Sequence, residues 1–200
     1  MRRPEAAWPA LLDAAARDCV RVLGTVPDDD FARRAHGLRW SCRTTLDHVV
    51  EGLLGYTALL TSGAERRWTS LLGTLRPGLP LEHCLEGVAT TATLLARAVG
   101  TATPDARAWH PWGTSDAAGF AAMGVTELTM HTYDMTRALG VAWQPDPEHC
   151  APVVERLFPD APEHADPAES LLWCTGRNGL PGVARRESWQ WRGEVQTSKS

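Results

Sequence analysis

Apolar residues at helical spacing in four long segments constrain the fold more than any other feature of the sequence. The segments span residues 5–23, 41–61, 81–99 and 115–139, and within each of them apolar side chains recur every three or four positions. Connections of 15 residues or more separate neighbouring segments, and no stretch of strand length alternates between apolar and polar residues. The pattern predicts an all-α protein, a four-helix bundle over about residues 5–140 with long crossover loops.

Local signals mark where these helices begin and end. Ser41 is a predicted N-cap of the second helix, because its hydroxyl can accept a free backbone N–H of the first turn. Gly24 and Pro27 are expected to end the first helix. Gly140 is expected to end the fourth, at a position where glycine favours the left-handed backbone conformation.

The region after the fourth helix is rich in proline. Six prolines fall between residues 145 and 167, and they limit helix formation there to short pieces, for which we expect residues 152–158 and 168–174. Residues 141–193 are therefore predicted to form a short C-terminal helical extension. The polar residues 194–200 are predicted to fray.

Charge and hydropathy exclude two classes of partner. The 20 Lys and Arg and the 24 Asp and Glu give a formal net charge of -4, and the basic residues form no stripe along the sequence. Nucleic-acid binding begins with neutralisation of phosphates by basic residues, so a nucleic-acid partner is not expected. No apolar run approaches the roughly 20 residues of a membrane span, and the N-terminus has no signal-peptide core. We expect one domain over residues 1–200, located in the cytoplasm, that binds neither nucleic acid nor a membrane.

The five cysteines are widely scattered and form no C-x-x-C pair, so neither a disulfide framework nor a thiolate zinc site is predicted. They are Cys19, Cys42, Cys84, Cys150 and Cys174. We expect free buried thiols. Cys42 is a weak candidate nucleophile, because a thiol near a helix start can have a lowered pKa but no basic partner lies nearby in the sequence.

A candidate metal site comes from two of the predicted helices. Glu127 and His131 are four residues apart, so their side chains share one face of the fourth helix. His48 lies inside the second helix, where Gly52 and Gly55 leave room for a neighbouring helix or a ligand. Two imidazoles and one carboxylate make a three-ligand set for a divalent ion and leave a coordination position open. The alternatives are a surface contact for the Glu–His pair and a hydrogen-bonded core histidine.

Two further residues near this set are candidates for catalytic roles. Asp134 follows His131 by three residues and is placed to orient the imidazole; the alternative is a salt bridge to Arg137 or Arg43. Arg177 is placed to clamp a carboxylate of a cofactor or substrate by two parallel hydrogen bonds. The alternative for Arg177 is an ordinary role at the end of a helix.

The loop before the fourth helix and the start of the second helix supply the remaining candidates. Trp112 is predicted to line the mouth of a pocket and to bind cofactor, or else to pack on the bundle. His110 is a candidate acid or base near pH 7, with an exposed loop histidine as the alternative. Thr44 lies one turn before His48 and is a candidate for facing the cofactor, or else a surface hydroxyl.

Three stretches of the chain, taken together, resemble the N-terminal domain of the mycothiol-dependent maleylpyruvate isomerase family, which has a DinB-like fold. They are residues 40–52 (WSCRTTLDHVVEG), 123–140 (MGVTELTMHTYDMTRALG) and 171–177 (LLWCTGR). They correspond to the family's Trp-Ser and His block, its Glu-x-x-x-His-x-x-Asp block and its closing Thr-Gly-Arg block, in the family's order.

The resemblance implies a DinB-like four-helix bundle that holds a divalent metal, usually zinc, with nickel as a second choice. It places the metal ligands on His48, Glu127 and His131, the set that the spacing also selects. It further implies a low-molecular-weight thiol such as mycothiol as cofactor. Fewer than 25 residues follow Arg177, too few for the isomerase's additional C-terminal domain, so the resemblance does not by itself imply maleylpyruvate as the substrate.

These observations predict a metal-dependent thiol transferase or isomerase whose partners are a small thiol and a small electrophilic substrate. A thiolate formed at the metal would attack an electrophilic carbon. One alternative is a hydrolase that uses metal-activated water at the same site, and another is a non-catalytic metal-binding bundle. Apolar residues outside the bundle core leave a homodimer open.

Overall fold

The computed structural model describes residues 7–71, 73–162 and 165–195, and in these ranges the chain is helical, with no β-strand beyond isolated bridges. The helices are α1 (Trp8–Leu23), a short 3-10 helix (Asp28–Ala32), α2 (Cys42–Ser62), α3 (Leu81–Thr101), α4 (Ala117–Leu139), α5 (Pro147–Leu157) and α6 (Pro167–Cys174). The predicted all-α fold is confirmed. None of the described helices has the length and apolar character that a membrane span requires.

The first four long helices form the bundle. α1 and α2 each pack against both α3 and α4, and α4 continues into contacts with α5, which in turn packs on α6. Leu12, Leu53 and Leu95, one from each of α1, α2 and α3, are fully buried and converge on Gly124 of α4, where a Cβ atom would lie 2.6 to 3.2 Å from their methyl groups. α4 is therefore the central helix of the fold.

The helix ends agree closely with the local signals. The Ser41 side chain accepts the backbone N–H of Thr44 at 3.1 Å, as an N-cap does, and Gly140 ends α4 with a φ of 73°. The fourth helix begins two residues after its predicted start, because Asp116 is the N-cap. Ser115 lies outside the helix and forms a β-bridge with Ala108. The predicted start of the first helix at residue 5 lies outside the described residues.

The proline-rich extension is more helical than expected, and the prediction of residues 152–158 was wrong at its start. α5 begins at Pro147, five residues earlier. The Asp146 side chain caps the helix by accepting the N–H of Glu148 at 2.8 Å, and Pro147 occupies the first turn, where a missing N–H costs nothing. The helix continues through Pro152, which is buried.

The segment after α6 returns across the bundle, and we call residues 180–194 the C-terminal strap. The backbone N–H of Arg192 donates to Leu157 O at 2.8 Å, and that of Gly193 donates to Trp112 O at 3.1 Å. Arg156 donates to three carbonyl oxygens of the strap, including that of Glu194, the first residue of the predicted frayed tail. Residues 196–200 lie outside the described ranges.

Candidate metal centre

His48, Glu127 and His131 converge where α2 faces α4. Glu127 Oε2 lies 3.4 Å from His48 Nε2 and 3.1 Å from His131 Nε2, and one ligand atom from each residue lies within 4.8 Å of the others. Tetrahedral zinc with bonds of about 2.1 Å keeps neighbouring donor atoms roughly 3.4 Å apart. The spacing and the chemistry of these donors therefore fit a divalent metal such as zinc.

Two small residues of α2 lie beside this convergence. A Cβ atom at Gly52 would lie 4.0 Å from Glu127 Cγ, and one at Gly55 would lie 3.4 Å from the ring of Trp68. Both distances are ordinary van der Waals contacts, so α4 and the Trp68 ring do pass close to α2 one and two turns after His48, but a methyl group would fit at either glycine.

The second ring nitrogen of His131 is held by Asp134. His131 Nδ1 lies 3.1 Å from Asp134 Oδ2, which leaves Nε2 directed at Glu127. Arg177 binds the same carboxylate with two hydrogen bonds, from Nε at 3.0 Å and from Nη2 at 2.6 Å. The predicted alternative partners of Asp134, Arg137 and Arg43, were wrong: its partner is Arg177, and Arg43 instead pairs with Asp28.

Burial and charge act in opposite directions on this network. Burial lowers the pKa of His131, but the hydrogen bonds and charges of Asp134 and Glu127 outweigh burial and raise the pKa to about 9. Burial raises the pKa of Glu127, but hydrogen bonds from His131 and His48 outweigh it and hold the pKa far below its ordinary value. The His131 ring therefore lies between two carboxylates, Glu127 and Asp134, that favour its protonated form.

Tyr56 fixes the other oxygen of the Glu127 carboxylate. Its hydroxyl donates to Glu127 Oε1 at 3.0 Å, and burial together with the charge of Glu127 raises the pKa of Tyr56 well above its ordinary value. Tyr56 therefore stays protonated and donates, so that Oε2 alone faces the two imidazoles. The sequence reasoning missed Tyr56, although it follows His48 by two turns of the same helix.

A cavity of about 560 Å³ opens onto the candidate metal centre, and its volume is within the range of small-molecule sites. Five tryptophans line it: Trp40, Trp68, Trp112, Trp189 and Trp191. His48, Glu127, His131, Asp134 and Arg177 line it too, and so does Arg185. The candidate centre thus faces a cavity that is rich in tryptophan.

Trp112 lies in the cavity wall, with its ring centroid 4.7 Å from that of Trp191, and its role in binding cofactor stays a prediction. Thr44 does not line the cavity; it is exposed and shares a hydrogen bond with Ser41 at 3.0 Å. The surface hydroxyl that was its alternative describes Thr44 better than a cofactor contact.

His110 also lines the cavity, but it is buried and not the exposed loop histidine that was its alternative. Its Nδ1 accepts the backbone N–H of Trp112 at 3.1 Å. Burial lowers the pKa of His110 to about 4, against a smaller opposing effect from Glu127. His110 is therefore neutral near pH 7, which disfavours its candidate role as an acid there.

All five cysteines are free and buried, as expected. Burial raises the pKa of Cys42 to about 11, with smaller opposing effects from a backbone hydrogen bond and from Arg33. A thiol with this pKa is not ionised at neutral pH, so the idea that Cys42 acts as a nucleophile is not supported.

The cavity-lining residues of the C-terminal strap were missed by the sequence reasoning. Trp189, Trp191 and Arg185 follow the last metal-site helix by more than 40 residues. Their spacing carries no helical or strand period that points to the site. Only the return of the strap across the bundle brings them there.

Comparison with known protein families gives a match. The family model for the mycothiol maleylpyruvate isomerase N-terminal domain matches residues 12–136, which is more than half of the chain and includes His48, Glu127 and His131. No curated protein and no solved structure gives a significant match. Arg177 and the C-terminal strap lie beyond the matched residues.

Proposed function

Because the chain belongs to the mycothiol maleylpyruvate isomerase N-terminal domain family, a DinB-like family, we propose that it is a metal-dependent enzyme that uses a low-molecular-weight thiol. Mycothiol or a related thiol is the cofactor. The reaction is either transfer of the thiol to a small electrophile or isomerisation of that electrophile.

The observation that carries this proposal is the convergence of His48 from α2 with Glu127 and His131 from α4. Oxygen and nitrogen donors 3.1 and 3.4 Å apart, on helices that are distant in sequence, form a site suited to a borderline divalent ion. Such a metal, when bound, would lower the pKa of a coordinated thiol enough to give the nucleophilic thiolate.

Hydrogen bonds from surrounding residues orient two of these three ligands, His131 and Glu127. Asp134 holds His131 by Nδ1, so that Nε2 is the nitrogen available to a metal. Tyr56 holds Glu127 Oε1 and leaves Oε2 free. Arg177 neutralises Asp134, which makes Arg177 a positioning residue in this proposal in place of the substrate clamp that the sequence suggested.

The cavity supplies a place for the electrophile beside the ligands. Its tryptophans exclude water from an apolar substrate, and its volume of about 560 Å³ accommodates a small molecule next to the thiol. His110, neutral and buried, accepts a hydrogen bond from the loop backbone, and in this proposal it shapes the wall.

Metal analysis tests the first half of the proposal. Purified protein is expected to carry close to one equivalent of zinc or nickel, or to take it up on addition. His48→Ala is expected to lose the metal, whereas His83→Ala, which removes an exposed histidine of α3, is expected to retain it. Wild-type protein with under about a tenth of an equivalent and no uptake of added metal would contradict the proposal.

A thiol-dependence assay tests the second half. Zinc-loaded protein is incubated with monochlorobimane, a fluorogenic electrophile, and with mycothiol, glutathione or no thiol. We expect conjugation that needs mycothiol and that His48→Ala abolishes. A product that forms equally well without thiol would favour the hydrolase with metal-activated water.

A further inference from the structure

Arg185 of the C-terminal strap is held at the cavity by both of its neighbours. The carbonyl of Ala184 accepts the indole N–H of Trp173 at 2.9 Å. The guanidinium of Arg186 lies 4.0 Å from the centre of the Trp173 ring and pairs with Asp160 at 2.8 Å. The Ala184 carbonyl and the Arg186 side chain thus tie the neighbours of Arg185 to α6 and to the loop after α5, while Arg185 itself is exposed and lines the cavity.

The two arginines of the cavity differ in their partners. Arg177 is engaged by two hydrogen bonds to Asp134 and one to the carbonyl of Thr175. Arg185 has no hydrogen bond, ion pair or ring contact with any residue that the structure describes. Arg185 is therefore the guanidinium that remains available to a ligand.

The other charges that face the cavity are already matched. Glu127 lies against His48 and His131, and Asp134 lies against His131 and Arg177. The exposed guanidinium of Arg185 consequently adds one uncompensated positive charge to a cavity that is lined in part by five tryptophans. A guanidinium binds a carboxylate by paired hydrogen bonds, and indole faces bind planar apolar groups.

We propose that Arg185 is a specificity-determining residue, and that it selects a planar, apolar carboxylic acid as the electrophile. The carboxylate pairs with Arg185 while the planar body lies against the tryptophan walls. This inference rests on the proposed function, because it names the substrate class of the same site.

The test uses trans-cinnamate and its neutral analogue trans-cinnamamide, titrated into the full chain by isothermal titration calorimetry. We expect wild-type protein to bind cinnamate more tightly than the amide. Arg185→Gln should weaken cinnamate binding by at least about tenfold, the effect of one charge-assisted hydrogen bond, and leave amide binding unchanged. Arg97→Gln, which removes an exposed arginine of α3, should change neither.

The inference is overturned if Arg185→Gln binds cinnamate as tightly as wild-type protein, if Arg97→Gln weakens binding equally, or if cinnamate does not bind. Unchanged thermal unfolding of Arg185→Gln verifies its fold. Titrations of both chelator-treated and zinc-loaded protein separate the two proposals. If the protein takes up no metal but its binding of cinnamate still depends on Arg185, only the proposed function is refuted. If the protein conjugates thiol but Arg185→Gln does not change cinnamate binding, only this inference is refuted.

Discussion

At the scale of single residues, the network behind the candidate metal ligands decides how well they are ordered. Asp134 is almost fully buried, and it joins His131 on one side to Arg177 on the other. Carboxylates that hold a ligand histidine in this way typically improve metal affinity by a factor of 10 to 100, because they fix the ring and raise its basicity.

Asp134→Asn tests that role. We expect its zinc affinity to fall by about 10- to 100-fold, measured by competition with a chelating dye at pH 7.5. The amide keeps the shape of the side chain but cannot hold an imidazole as a carboxylate does. Asp13→Asn is the control, because Asp13 lines a separate groove with residues of α3. Wild-type zinc affinity in Asp134→Asn would show that Asp134 serves only the ion pair with Arg177.

His110 gives a prediction for stability against pH. Its pKa is about 4 in the folded chain because it is buried, against 6.5 for an ordinary histidine. Between these values the unfolded chain binds a proton that the folded chain does not, so the free energy of unfolding falls as the pH falls. His110→Asn, whose Oδ1 can accept the Trp112 N–H, removes this proton.

Urea unfolding at pH 7 and pH 5 measures the effect. We expect wild-type protein to lose more free energy of unfolding than His110→Asn does between these two values, since the effect begins near pH 6.5 and grows towards pH 4. Equal losses in the two proteins would show that His110 titrates at its ordinary pKa in the folded chain.

At the scale of elements, two helical glycines look alike in sequence but differ in their surroundings. A Cβ atom at Gly52 would meet only Glu127 Cγ, at 4.0 Å, whereas at Gly124 it would approach leucine methyl groups of three helices, the nearest at 2.6 Å. Both glycines gain helix propensity on substitution by alanine, so the difference between the two variants isolates the effect of packing.

We expect Gly124→Ala to be less stable than Gly52→Ala by about 1–3 kcal/mol, the usual cost of overpacking a core. Chemical denaturation of both variants gives this difference. Equal stabilities would mean that Leu12, Leu53 and Leu95 can move aside without cost, and that α4 is not as tightly enclosed as its contacts indicate.

The helix ends show how well local sequence signals predict where a helix begins. Ser41, Asp116 and Asp146 each cap a helix through their own side chain. The Ser41 cap was predicted from the sequence. The start of α5 was missed because a run of prolines was weighed as helix-breaking, although Pro147 in the first turn favours a helix start. Local signals therefore located most helices well. They failed at α5, because proline breaks the interior of a helix but favours its first turn.

At the scale of the whole molecule, Arg156 of α5 connects the start of α4 with the C-terminal strap. Its guanidinium donates to Asp116 at the start of α4 at 2.8 Å and to the carbonyls of Arg192, Gly193 and Glu194 in the strap. Arg156 is thus a main attachment of the segment that carries Trp189 and Trp191.

Arg156→Gln is expected to loosen the strap. The amides of Arg192 and Gly193, which bond to Leu157 and Trp112, should exchange hydrogen at least roughly tenfold faster, because one or more charge-assisted bonds of about 1.5–3 kcal/mol are lost. Hydrogen exchange with mass spectrometry measures this on peptides that cover 186–195. The matched control Arg137→Gln removes an exposed arginine of α4. The same protection in Arg156→Gln as in wild-type protein would show that the strap is held by its aromatic packing alone.

The sequence by itself determined the bundle and the three candidate metal ligands. Helical periodicity places Glu127 and His131 on one face of α4, and the spacing of small residues after His48 indicates where another helix can approach. These are short-range consequences of helix geometry, so they can be read from one stretch of chain at a time.

Only the tertiary structure decided what surrounds those ligands. Asp134 pairs with Arg177, and Tyr56 bonds to Glu127. Arg185 and the strap tryptophans line the same cavity as these residues. Each of these arrangements brings together residues more than 40 positions apart in the sequence. No local period encodes such contacts, because they depend on how buried surfaces and charges from separate segments satisfy one another once the helices have packed.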